Sequence, residues 1–322
     1  MPELEVRDQL LVHVAQLYYE QALTQEAIAR KVGVSRSNVS RLLTDARRRG
    51  IVEVRIRSPL RTAPALGREL KERFGLREAH VLSGGGQSAE MVLQSLGALA
   101  AEQARRFLRD DMILGLGWGR ALHATVDAFR PGHAFRVRVV QTMGGIGSID
   151  PHIDGTELAR RLAETLGGQF RYLHAPFLVE TAAIAQALRQ ERNVRDSLEL
   201  ARTADLALSG VGSVRPELSG LVRAGYLTRQ ELIDVARSGA VGDLYGRYLD
   251  IGGHVCALEL HDRIIGIDLE SVRSIKCVLA VAGFKEKAPA ILAALRSGFL
   301  HILVTDDAAA HEVLHLADET ER

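Results

Sequence analysis

From residue 6 to residue 20, apolar residues recur at Leu10, Val14, Leu17 and Tyr18, with Leu11 beside them. Spacing by three and four predicts an amphipathic helix. Thr24 is placed to cap a second helix, about 25–31, with Gln25 and Glu26 in its first turn. Gly33 offers a turn that tolerates positive φ. Ser35 caps a third helix, about 36–49, which Gly50 ends. Ile28, Ala29, Val32, Val34, Val39 and Leu42 then supply one shared core, with small Ala29 letting the two helices approach. Residues 51–56 alternate apolar and polar, which predicts a short strand or wing. Two helices joined by a short glycine turn have the pattern of a helix-turn-helix.

The pattern changes after Ser58-Pro59. Pro64 opens a connecting helix, about 65–74. Short apolar runs at 79–82, 112–116, 135–142, 206–209, 278–281 and 302–305 then alternate with helical stretches, including a long helix at 89–108. This alternation predicts an α/β domain on a mostly parallel sheet. The expected organisation is a helix-turn-helix domain at 1–57, a linker helix at 58–75 and an α/β domain at 76–322.

Composition narrows the class. The 322 residues allow two or three domains. With 47% apolar and 25% charged residues, a mainly disordered chain is excluded. No run approaches the roughly 20 apolar residues of a membrane helix, and Met1-Pro2-Glu3-Leu4-Glu5 does not read as a signal peptide. Two cysteines without a CxxC or Cys/His cluster argue against a disulfide framework and a cysteine zinc site, so the expected setting is the cytoplasm. The net charge of +1 hides an asymmetry, because residues 1–61 hold 11 Lys/Arg against 7 Asp/Glu. A basic block on a mildly acidic body suits a polyanionic partner.

In a helix-turn-helix the start of the second helix faces base edges in the major groove. Here those positions are Arg36, Ser37, Asn38, Ser40 and Arg41, with Gln25 and Ser35 beside them. Arg can bond guanine bidentately and Asn can bond adenine. Arg47, Arg48, Arg49, Arg55 and Arg57 suit phosphates. The competing reading is a three-helix structural subdomain whose arginines complement a helix dipole.

Ligands of a parallel α/β sheet bind at the carboxyl ends of its strands. Gly115-Leu116-Gly117-Trp118-Gly119-Arg120 follows one strand and opens a helix, where backbone N–H groups can hold an anion and Arg120 adds charge. The alternative is a tight packing turn. The spacing is GxGxG rather than GxGxxG, and the strand ending at Gln141 and Thr142 lacks the acidic residue of a dinucleotide site, so no nicotinamide cofactor is expected. Asp243, among the glycines of 239–246, can accept ligand hydroxyls or cap a helix. Lys287, at a helix start, opposes the dipole unless an anion sits beside it; otherwise it is a solvated lysine. Asp306 and Asp307 are placed to cap the last helix. Phe177 after Pro176 lines either a pocket or a plain loop. The eleven histidines show no HxH spacing, and no GxSxG occurs, so neither a metal nor a catalytic residue is expected.

In order along the chain, the segments 34–43, 49–52, 115–120, 239–243, 282–287, 293–298 and 303–306 resemble the SorC-type bacterial transcriptional regulators. The resemblance implies a winged helix-turn-helix joined to a Rossmann-like, sugar-sensing domain similar to phosphosugar isomerases and deaminases. It implies assembly as dimers or tetramers, operator double-stranded DNA as partner, and a small sugar, sugar phosphate or polyol as effector. By match, Gly117, Trp118, Gly119, Arg120, Gln141, Gly144, Gly145, Asp243 and Lys287 would line the effector pocket. Two positions depart from the pattern. Ala121 stands where many relatives have Thr, and Met143 stands where some phosphate-binding relatives have a basic residue. Both keep a free sugar or polyol in play. The alternatives are a sugar-phosphate isomerase or deaminase with an accessory DNA domain, and a structural nucleoid protein.

Overall fold

The computed structural model describes residues 2–52, 60–147 and 151–321. It divides into two units, 1–59 and 60–322.

Among its described residues the first unit contains three helices: α1 (Pro2–Tyr19), α2 (Gln25–Val32) and α3 (Arg36–Arg48). The caps form as the side chains dictate. Thr24 accepts the Ala27 N–H and Ser35 accepts the Asn38 N–H, both at 3.2 Å. Gly33 takes φ 74° at the end of α2, a conformation that would strain a side chain. Leu11, Val14, Leu17, Ile28, Val39, Leu42, Leu43 and Ala46 form the core, with Val32 and Val34 only partly buried against it. Ile51 and Val52 do not begin a strand. Both return their N–H to the Ala46 carbonyl, at 2.9 and 3.2 Å, and pack on this core. The rest of the expected wing, with Arg55 and Arg57, lies outside the described residues.

The second unit begins with α4 (Pro64–Phe74), β1 (Glu78–Leu82) and α5 (Ala89–Arg105). It continues with β2 (Ile113–Leu116), α6 (Arg120–Ala128), β3 (Arg138–Gln141), α7 (Gly155–Leu166), β4 (Gln169–Arg171), α8 (Ala182–Gln190) and α9 (Arg192–Arg202). Then follow β5 (Leu206–Gly210), β6 (Gly212–Ser213), α10 (Gly220–Arg223), α11 (Arg229–Arg237), β7 (Ala240–Leu244) and β8 (Arg247–Asp250). The last elements are α12 (Leu269–Val272), β9 (Val278–Val281), α13 (Ala288–Arg296), β10 (Ile302–Asp306) and α14 (Asp307–Thr320).

Seven strands form one sheet in the order β1-β10-β9-β5-β2-β3-β4, with every pairing parallel. Alternate residues enter opposite cores. Leu206 and Leu208 point to one side and Ala207 to the other; Leu279 and Val281 oppose Val278 and Ala280. A sheet buried on both faces explains why its strands read as continuous apolar runs. Every crossover leaves its connecting loop at a carboxyl end, so the loops after β2, β5, β9 and β10 share one rim.

Sequence reasoning missed four strands. The edge strand β4 is only three residues long, and β6, β7 and β8 form a separate antiparallel sheet. β7 and β8 join through Tyr245-Gly246, both at positive φ (52° and 76°), the geometry of a tight hairpin turn. The glycines of 239–246 therefore mark a hairpin rather than a loop. The helix expected over 89–108 stops at Arg105.

Candidate functional site

On α3, Arg36, Ser37, Asn38, Ser40, Arg41, Arg47 and Arg48 are all exposed, while Val39, Leu42, Leu43 and Ala46 are buried. The helix thus turns its apolar stripe to the core and a polar, basic face outward. Gln25, at the start of α2, is half-buried. The Ser35 hydroxyl caps α3 and lies 2.9 Å from the Ser37 hydroxyl, so both are partly committed to the turn. Arg48 pairs at 2.8 Å with Asp45 but keeps 75% of its side-chain surface exposed. Arg49 differs: it bonds Asp8 of α1 at 2.6 Å and ties the helices together.

The second constellation stands at the carboxyl rim of the parallel sheet. Asp243 lies on β7, half-buried, in register with Gly212 of β6. It caps no helix. Its Oδ2 accepts the Gly246 N–H at 3.1 Å, so the hairpin turn and the carboxylate fix each other. Burial pushes its pKa up to about 6, against the pull of the Gly246 N–H and the Lys287 charge. Lys287 closes a short 3₁₀ turn (Lys285–Lys287) ahead of α13, and its Nζ donates to the Val211 carbonyl at 2.7 Å. Burial lowers its pKa to about 8; Asp243 opposes that shift, while the charges of Arg120 and Arg223 add to it. Three cations and one carboxylate therefore share this rim.

The surrounding loops hold the group in place. Asp306, at the end of β10, accepts the Phe284 N–H at 2.6 Å and caps α14 through the Ala309 N–H at 2.9 Å. Gly212 permits the Asp243 position, because a Cβ there would lie 1.7 Å from Asp243 Oδ1. Gly212→Ala must swing the carboxylate away while leaving the fold intact. If Asp243 lines the effector pocket, as the resemblance implies, effector affinity is expected to drop at least roughly tenfold with operator affinity unchanged, since one lost charge-assisted hydrogen bond is worth about 1.5–3 kcal/mol. Parallel titrations of effector and operator check this, and unchanged effector affinity would remove Asp243 from the site.

Trp118 stands two residues before Arg120 and meets Phe177 edge-on. Its ring packs against Phe177, 5.4 Å between centroids, and lies where a Cβ on Gly220 would be. Its buried indole N–H has no hydrogen-bond partner among the described residues, which leaves one donor open. Gly117 and Gly119 do not offer the anion nest that the glycine spacing suggests. Their N–H groups are bound to the Leu208 and Ile153 carbonyls, both at 3.1 Å. The first turn of α6, starting at the exposed Arg120, has no side-chain cap.

Gln141, Gly144 and Gly145 form a supporting layer rather than an open surface. Gln141 is fully buried, accepts the Leu173 N–H at 2.9 Å and reaches Thr156 at 3.3 Å. Gly144 donates to the Ile265 carbonyl, and Gly145 exchanges bonds with Ala175, Phe177 and the Tyr226 hydroxyl. Phe177 is core, only 1% exposed. Met143 is buried against Gly117. The structure thus gathers Trp118, Arg120, Asp243 and Lys287, and adds Arg223, which no motif marked. Arg223 ends the four-residue α10, brought to the rim by the packing of Trp118 on Gly220.

Comparison with known proteins places these features. The family model described as "Putative sugar-binding domain" matches residues 58–315, and the sigma-70 region 4 model matches 13–49. The chain is 31% identical to the deoxyribonucleoside regulator of Bacillus subtilis, covering 96% of this chain and 98% of that one. It is 30% identical to the sorbitol operon regulator of Klebsiella pneumoniae, covering 95% and 97%. The crystal structure of the full-length sorbitol operon regulator SorC from K. pneumoniae superimposes with a TM-score of 0.72 at 29% identity, over 95% of this chain and 98% of that one. These relatives are regulators rather than enzymes. No helix among the described residues is long and apolar enough to cross a membrane. A helix-turn-helix unit followed by a sugar-binding α/β unit, matched over nearly the full length, shows that the chain belongs to the SorC family of sugar-binding transcriptional regulators.

Proposed function

We propose that this regulator binds a phosphorylated sugar at the rim formed by Trp118, Arg120, Arg223, Asp243 and Lys287, and that occupancy changes its affinity for operator DNA. The observation that carries the reading is charge: Arg120 and Arg223 both act on Lys287, against the single carboxylate of Asp243. That surplus of cations suits a phosphate, while Asp243 accepts sugar hydroxyls. Arg36, Ser37, Asn38, Ser40 and Arg41 face the major groove, with Gln25, Ser35 and Arg48 flanking them toward the backbone. The protein acts in the cytoplasm as a symmetric homo-oligomer, which sets two recognition helices on a partly palindromic site. The effector favours one subunit arrangement, so operator affinity shifts by the ligand's differential affinity for the two states.

A second reading, a free sugar or polyol, is favoured by one observation. Met143 occupies, buried and uncharged, the position before the glycine pair. Trp118 is the single tryptophan and reports directly on the site. Its fluorescence, followed through titrations with paired free and phosphorylated sugars, separates the two readings. The phosphorylated member of one pair is expected to bind at least tenfold more tightly and to shift operator affinity in the same samples. A response to the free sugar alone selects the polyol reading. Equal affinity for both members of a pair removes the phosphate from the site.

A further inference from the structure

The two edges of the seven-stranded sheet are treated differently. At the β1 edge the chain covers itself: Thr62 bridges Leu82 antiparallel, Ala63 N–H bonds the Val81 carbonyl at 2.8 Å, and Ser83 N–H bonds the Arg61 carbonyl at 2.7 Å. At the other edge, Gln169, Phe170 and Arg171 of β4 are all exposed. Natural edge strands are kept short or guarded by charge, proline, a bulge or a covering segment, because unpaired N–H and C=O groups recruit another strand. β4 is short and carries the charge of Arg171, but has neither proline nor lysine. It presents Phe170, 37% exposed, at the head of a ring row, with Tyr172 at 4.6 Å and His174 at 5.6 Å from its neighbour.

The adjoining helix adds charge that its own dipole does not explain. α9 is tied to β4, since Arg171 Nε donates to Ser197 Oγ at 3.1 Å and Ser197 Oγ donates to the Tyr172 carbonyl at 2.9 Å. Behind Glu191 at its N-cap, its first turns carry Arg192 and Arg195, Asp196 and Glu199 follow, and Arg202 ends it. Cations at a helix N-terminus oppose the dipole. Within the chain these groups meet only loosely: Arg192–Asp196 is 3.9 Å, Arg195–Asp196 3.7 Å and Arg195–Glu199 4.0 Å, with Arg192 88% exposed. Arg192 and Arg195 followed by Asp196 and Glu199 are complementary to themselves when reversed.

We propose that β4 and α9 form the face on which a second copy of this chain pairs, with Phe170 on a two-fold axis. β4 then adds antiparallel to β4 of its partner and joins the two sheets, Gln169 facing Arg171 across the strands. Arg192 and Arg195 of each copy lie against Asp196 and Glu199 of the other. The exposed Ile184 of α8, next along the chain before α9, extends the contact. This assigns a surface to the homo-oligomer of the proposed function and leaves its effector chemistry untouched.

The test is the mass of the full chain in solution, without DNA or sugar, so it stands apart from the effector reading. Phe170→Glu is expected to weaken association at least tenfold, seen as a smaller species by light scattering. Arg192→Glu and Glu199→Arg each weaken it, and the double variant restores it. Antiparallel partners place opposed Cα atoms about 4.5–5.5 Å apart, within disulfide reach. In a Cys256→Ser background, Phe170→Cys is therefore expected to give a covalent dimer without reductant, whereas Met91→Cys, more exposed on α5, does not. A monomeric wild type, an unchanged mass for Phe170→Glu, or cross-linking no stronger at 170 than at 91 overturns the proposal.

Discussion

Raising the salt from about 50 to 200 mM is expected to weaken operator binding by about 10³–10⁵-fold, the loss that accompanies 6–10 neutralised phosphates. The basic groups are present on the surface: Arg30, Lys31, Arg36, Arg41, Arg47 and Arg48 are exposed in the first unit. Each phosphate contact releases counterions, so log K against log salt is expected to be linear with a slope of roughly −0.9 per contact. Two positions divide the labour. If Arg48 meets the backbone, as proposed, Arg48→Ala should weaken operator and random duplex alike and reduce the slope by about 1. If Asn38 meets a base edge, as proposed, Asn38→Ala should leave the slope intact and cost about 1–3 kcal/mol at one base position. Fluorescence anisotropy across a salt series measures both. A flat response would leave α3 as a structural helix with a solvated basic face.

The distinction between Arg48 and Arg49 shows where sequence reading stops. Both sit in one arginine run, and both suit phosphates by charge. Only the packing of α1 against α3 reveals that Arg49 is spent on Asp8. The helix-turn-helix itself was legible, because Thr24, Gly33 and Ser35 each act within four residues of their partners. The parallel strands were legible too, since burial on both faces writes a continuous apolar run. β6, β7 and β8 were not, because β6 has only two residues, its partner β7 lies beyond α10 and α11 in the chain, and Gly242 and Asp243 interrupt the apolar pattern of β7. Gly117 and Gly119 were recognised as a rim loop, yet their N–H groups go to Leu208 and Ile153. Glycine spacing encodes close approach of backbone; it does not say whether a ligand or the protein itself approaches. Asp243 and Lys287 were picked out separately, and their coupling through Gly212 and Val211 required coordinates.

That coupling yields the second large effect. Asp243, with its pKa pushed up to about 6, and Lys287, lowered to about 8, are both charged chiefly between those values. Effector affinity is expected to be highest from about pH 6 to 8. Below that window Asp243 takes a proton and stops accepting from sugar hydroxyls; above it Lys287 loses the charge that attracts an anion. Asp243→Asn should flatten the acid limb, and Lys287→Met the alkaline limb. Lys287→Met should also weaken an anionic effector at least tenfold, since a hydrogen bond to a charged group is worth about 1.5–3 kcal/mol and about 1.4 kcal/mol is tenfold. Stability carries an independent sign. A carboxyl whose folded pKa is raised binds its proton more tightly when folded, so its contribution declines as pH rises from the unfolded value through the folded one. Without Lys287 the Asp243 pKa rises further, and Lys287→Met should melt lower at pH 8 than at pH 5 relative to wild type. Asp243→Asn with Lys287→Met should recover that melting temperature without recovering the effector, because the orphaned charge is gone while the site has lost both its groups. If the single variant melts like wild type at both values, Asp243 and Lys287 are two independent surface groups, and the rim they share is not the effector site.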